Sequence, residues 1–232
     1  MAVKQPDPLM AALSSAMPLA FEQLDSAAAP LNQGRTGLVI VDEIVGFAAP
    51  GGGNLAPPGP DADVSRMVAE TDRLARQFSA NGWPILAFLD THEPGKAEPP
   101  YPPHCERGSG EEEFVPELRW LESEPQATLT RKDCINGFIG AYRADGTNAL
   151  LDWLNREQIA EVLAVGICTD ICVMDMVLTL LSARNHDMAP SLRDIHVYDQ
   201  GCATFDLPRA LAEELDLGIA AAHPQDATHH MG

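Results

Sequence analysis

The chain has 232 residues, 45% of them hydrophobic and 21% charged, which suits one sizeable α/β domain and is short for two. A formal net charge of −19 argues against nucleic-acid and anionic-membrane partners, because both require clustered Lys and Arg. No apolar run is long enough to span a bilayer, no basic segment leads into an uninterrupted apolar one, and five irregularly spaced cysteines fit reduced thiols in a cytoplasmic setting.

Residues 1–33 read as an N-terminal helical arm with Leu9, Met10, Leu13, Met17, Leu19 and Phe21 available to dock on the body or on a second subunit, and a homo-oligomer is expected. Residues 34–232 read as one domain. TGLVIVD (36–42) is a continuous apolar run ending in an acid, the look of a buried parallel strand. A Gly/Pro-rich loop (47–61) leads to a helix over 62–80 with Val64, Met67, Val68, Leu74 and Phe78 on one side. PILAFLD (84–90) is the second strand. Residues 91–126 form a long Pro- and Glu-rich loop region with one short helix, a length that usually marks function. ATLTRK (127–132) is the third strand, TNALLDWLNRE a helix and AEVLAVG (160–166) the fourth strand. A helix over 171–186, a fifth strand at DIHVYDQ and a last helix at PRALAEELDLGIA complete the pattern. Such alternation implies right-handed crossovers and a mostly parallel sheet in an α/β domain.

Sites in open α/β sheets form beyond the carboxyl ends of the strands. Asp42, Lys132 and Cys172 all fall there: an acid, an ammonium and a thiol at one edge. Cys172 is expected in the first turn of its helix, with Thr169 or Asp170 as N-cap, where the helix dipole and Lys132 would favour the thiolate. Asp42 is positioned to take the thiol proton and return it to a leaving amine. The corner 167–172 offers backbone N–H groups for an oxyanion. Cys105, Cys134 and Cys202 read as packing, and the Glu111–Glu113 run as solvated surface.

The set VIVDEIVGF, LTRKDCINGF and VGICTDICV resembles the isochorismatase-like cysteine hydrolases. DTHEPG, PPYPPHC, TDICV, LSARN and GCATFDLP are similar, in order and spacing, to plant-type nicotinamidases. The resemblance implies a Rossmann-like, three-layer αβα fold, a catalytic triad of Asp42, Lys132 and Cys172, a non-proline cis peptide at Ile167–Cys168, and an oxyanion held by the N–H groups of Cys168 and Cys172. It implies a divalent metal ion, zinc foremost, with iron or manganese as alternatives, on Asp90, His92 and His104. Phe47 would flank the substrate ring. Ile44 stands where nicotinamidases often carry Gln. The expected activity is hydrolysis of nicotinamide, a small amide, to nicotinate and ammonia. The alternatives are a ureido or maleamic amide, a vinyl ether, or an inactive binding or redox-sensing role on the same fold.

Overall fold

The computed structural model describes residues 35–96 and 98–204, so the N-terminal arm, the expected last helix and the C-terminal tail lie outside the described residues. Strands β1 (Arg35–Val41), β2 (Ile85–Asp90), β3 (Ala127–Lys132), β4 (Ile159–Ile167) and β5 (Asp194–Ala203) pair in the order β3-β2-β1-β4-β5. Every pairing is parallel. The chain begins in the middle of the sheet, builds out to β3, then crosses back to lay β4 against β1. The order therefore reverses between β1 and β4, which is where a crevice opens at the carboxyl edge.

Residue alternation along β1 supplies both cores, since successive side chains in a strand point to opposite faces. Leu38 and Ile40 join one cluster with Val64, Met67 and Phe78. Val39 and Val41 join the other with Leu150, Trp153, Met176 and Leu180. The first cluster lies under α2 (Ala62–Ala80), whose N-cap Asp61 accepts the backbone N–H groups of Asp63 and Val64. The second lies under α4 (Ala149–Glu157) and α5 (Met174–Asn185). Two sheet faces, each covered by helices, make the expected three layers.

Two short helices escape periodicity: α1 (Val45–Ala48), inside the Gly/Pro-rich stretch, and α3 (Gly137–Gly140), just past β3. Four residues present no repeating apolar face, and each begins where a strand end turns back. The single short helix expected in the long loop is a 3-10 helix, Pro116–Ser123, with Leu118 and Leu121 buried. The helix expected from residue 171 starts differently. A π turn, Thr169–Val173, precedes α5. Thr169 and Asp170 lie inside that turn, so neither is the N-cap; Cys168 occupies that position without a side-chain bond. The wider turn arises because the Cys168 carbonyl accepts from both Ile171 and Val173. Gly166 permits the crowding at this corner: it has φ +131, and a Cβ there would lie 2.1 Å from the Val41 carbonyl oxygen.

Candidate active site

Three strand ends deliver the chemistry. Asp42 follows β1 with φ +56, a left-handed conformation that Asp tolerates better than most residues and that turns its carboxylate back over the sheet edge. Lys132 closes β3. Its ammonium lies 2.9 Å from Asp42 Oδ2 and 3.1 Å from Asp90 Oδ1. It also donates to the Cys134 carbonyl at 2.9 Å, so three oxygens surround the ammonium. Cys172 is buried in the π turn after β4. The Ile167–Cys168 peptide is cis.

Burial penalises charge on every member, and the pairing decides which charges survive. Lys132 is pulled down by burial, but the Asp42, Cys172 and Asp90 anions outweigh that and hold its pKa well above the ordinary value. Asp42 is pushed up to about 6 by burial, with Lys132 opposing. Cys172 is pushed well above an ordinary thiol by burial, with Lys132 opposing and Asp42 adding to the rise. Burial of the sulfur and a turn that is not a regular α N-terminus both work against the thiolate expected at this corner, while Lys132 favours it. Cys172 lies beside a carboxylate whose own pKa burial has raised.

A second cluster adjoins the first through Asp90, which closes β2. Its Oδ1 faces Lys132, and its Oδ2 lies 3.0 Å from His92 Nε2 and 3.1 Å from His104 Nε2. Burial opposes ionisation of Asp90, yet Lys132 and the two imidazoles hold its pKa far below the usual carboxylate range. Glu98, which pattern reasoning passed over, brings Oε2 to 3.4 Å from His92 Nε2 and 3.6 Å from His104 Nε2. Ligand atoms of these four residues lie within 4.8 Å of one another. The donor chemistry fits a divalent ion: two carboxylates and two imidazoles, buried or half-buried, converge on one point. His104 hydrogen-bonds through Nδ1 to the Pro102 carbonyl at 2.8 Å, which leaves Nε2 as the free ligand atom.

An aromatic wall rises over these donors. Phe47, on α1, sits 5.7 Å from the His104 ring, and Tyr101 lies 5.9 Å from it on an edge contact. The Tyr101 hydroxyl is buried and has no hydrogen-bond partner among the described residues. Burial raises its pKa, and the acidic groups of Cys172, Glu98, Cys168 and Asp170 act in the same direction. In the sequence Tyr101 offered only its place three residues before His104.

A family model described as the isochorismatase domain matches residues 36–214. The chain belongs to the isochorismatase family. Among its family relatives is Nicotinamidase 1 of Arabidopsis thaliana, 54% identical over 196 residues, covering 84% of this chain and 80% of that protein. A crystal structure of a nicotinamidase/pyrazinamidase from Bacillus subtilis shares the isochorismatase fold at a TM-score of 0.59 and 24% identity, covering 78% of this chain and 92% of that one. A Pyrococcus horikoshii pyrazinamidase, solved in complex with zinc, matches at a TM-score of 0.58 and 20% identity, covering 78% and 94%. At those identities the two structures speak to the fold alone. No helix among the described residues is long and apolar enough to cross a membrane.

Proposed function

We propose that this isochorismatase-family chain is a nicotinamidase, hydrolysing nicotinamide to nicotinate and ammonia through a thioester on Cys172. The observation that carries the reading is the junction at Asp90, where one carboxylate joins the Asp42–Lys132–Cys172 group to the Asp90–His92–Glu98–His104 donors. The relationship to the plant nicotinamidase supports the choice of substrate.

Substrate arrives with its carboxamide at Cys172 and its ring between Phe47 and Tyr101. Asp42 takes the thiol proton as sulfur attacks the carboxamide carbon, because a buried thiol beside an ionised carboxylate gives up its proton most readily during attack. The N–H groups of Cys168 and Cys172 receive the developing oxyanion. Asp42 then gives its proton to the departing nitrogen, since an amide anion is too poor a leaving group, and ammonia leaves. Water replaces it. Asp42 removes a proton from that water, hydroxide adds to the thioester carbon, and the proton returns to sulfur as nicotinate departs. Lys132 stays protonated throughout and fixes Asp42 in place.

Asp90, His92, Glu98 and His104 would hold the divalent ion, zinc being the first expectation. When bound, that ion supplies a Lewis-acid site for a ring nitrogen.

Ammonia release from nicotinamide, from benzamide and from ureido and maleamic amides, with and without chelator, tests the reading. Turnover of nicotinamide that falls with chelator, and weak turnover of benzamide, is expected. Preference for a ureido or maleamic amide over nicotinamide would reassign the substrate, and no turnover of any amide would end the enzymatic reading.

A further inference from the structure

Glu111, Glu112 and Glu113 read as a solvated acidic run, yet they are built into the site. The Glu112 carboxylate is buried and accepts from the Gly108 and Gly110 N–H groups and the Ser109 hydroxyl, closing its own turn. Glu111 reaches further. Its Oε2 accepts the backbone N–H of Cys105 at 2.9 Å. Its carbonyl accepts the N–H of Gly46 at 2.8 Å, on the helix that carries Phe47. Its carboxylate occupies the space beside Gly53, where a Cβ would lie 2.7 Å from Oε2. A Cβ on Gly46 would lie 2.6 Å from the Cys105 sulfur and 3.1 Å from Glu111 Cβ. The two glycines thus leave room for one glutamate to wedge between α1 and the loop.

What Glu111 holds is the residue after a donor histidine. Cys105 has φ +46, unfavourable for a residue with a Cβ, so this bend persists only where surroundings enforce it. They do so from both sides. Glu111 takes its N–H, and its carbonyl accepts the His92 N–H at 3.0 Å. The peptide plane joining His104 to Cys105 is therefore fixed by Glu111, and the far side of the same residue is tied to the other donor histidine.

We propose that Glu111 is a positioning residue for the donor cluster: by holding the Cys105 N–H it sets His104 against Asp90, His92 and Glu98. The proposal rests on the reading of those four residues as a metal site. Outer partners that orient ligands typically change metal affinity by about 10–100-fold when removed.

The test uses the full chain, stripped of metal, titrated with zinc against a chromophoric chelator. Glu111→Ala is expected to bind zinc about 10–100-fold more weakly than the parent. Glu111→Gln keeps an oxygen acceptor for the Cys105 N–H and is expected to stay within about threefold. Glu117→Ala, at an exposed position of the 3-10 helix Pro116–Ser123, is expected to match the parent. Melting of the metal-free proteins should agree among all four. Equal zinc affinity in Glu111→Ala and the parent would overturn the proposal, as would a Gln variant as weak as Ala, or a metal-free Glu111→Ala protein already melted at the parent's working temperature. A parent that takes up no zinc would remove the metal reading along with it. A parent that binds while Glu111→Ala is unaffected removes only the role of Glu111.

Discussion

The nucleophile corner and the donor loop are built in opposite ways. Asp42, Lys132 and Cys172 are delivered by β1, β3 and β4 of one parallel sheet, in which β2 joins β3 to β1 and the register is fixed along the strands. Asp90 and His92 also come from a strand end, but Glu98 and His104 are carried by irregular chain and depend on local clamps. Those clamps are His104 to the Pro102 carbonyl, Glu98 to the Ile135 N–H at 2.9 Å, and Glu111 to Cys105. Sheet-built groups gain position from the whole core. Loop-built groups gain it from a few hydrogen bonds, each worth about 1 kcal/mol. The corner should therefore tolerate damage to the loop better than the loop tolerates damage to its clamps.

The sharpest test of the corner removes its sulfur. Cys172→Ala should lower turnover at least about a thousandfold, because it removes the sulfur on which the thioester forms. Folding should survive, since the change deletes one small buried group, for which about 1 kcal/mol is ordinary. Ammonia release and thermal melting read the two effects separately. Turnover within tenfold of the parent would show that the thiol is not the nucleophile.

A cut in the loop probes the other half. His104→Ala removes one of four donors and should abolish tight zinc binding and reduce nicotinamide turnover about a hundredfold. The rate at which iodoacetamide alkylates Cys172 reads the corner without reference to substrate or metal, and it should change less than about threefold. Alkylation slowed in step with turnover would mean that the two halves are one mechanical unit, and the comparison would break.

How much of this the sequence disclosed follows the same division. Apolar runs made β1, β2, β3 and β4 legible, and an acid or cation closing such a run marked Asp42, Asp90 and Lys132. The helix Ala62–Ala80 was legible from its apolar stripe. His92 and His104 carried a type and a spacing that suggested ligands. Glu98, Glu111 and Glu112 carried nothing that separates a ligand or a clamp from a surface acid. Their roles depend on where a loop without periodicity folds back, which no local pattern encodes. The pull of burial against a Cys172 thiolate was not legible for a related reason: a first-turn cysteine is easily recognised, but its burial and the pairing of Lys132 with two carboxylates are tertiary facts. The arm and the last helix lie outside the described residues.

A quieter consequence sits behind the corner, on the far face of the sheet. Glu43 follows Asp42 and is wholly buried. Its Oε1 accepts the Thr71 hydroxyl at 2.6 Å, and its Oε2 has no hydrogen-bond partner among the described residues. Burial raises its pKa well above the ordinary 4.5, with the Thr71 bond opposing. In the unfolded chain the group ionises above 4.5, whereas in the folded chain it keeps its proton, so folding takes one up. Stability from the neutral acid is whole below that value. It falls by about 1.4 kcal/mol per pH unit as pH rises toward the folded pKa. Glu43→Gln has nearly the same shape, can accept from Thr71, and does not titrate. Its melting temperature should match the parent's near pH 4.5 and exceed it by several degrees near pH 8, with about 2–4 °C for each kcal/mol. An offset that stays constant across this range would mean that Glu43 is not held neutral. Turnover should be little changed, because a neutral amide on the far face preserves the bond that anchors the strand end bearing Asp42.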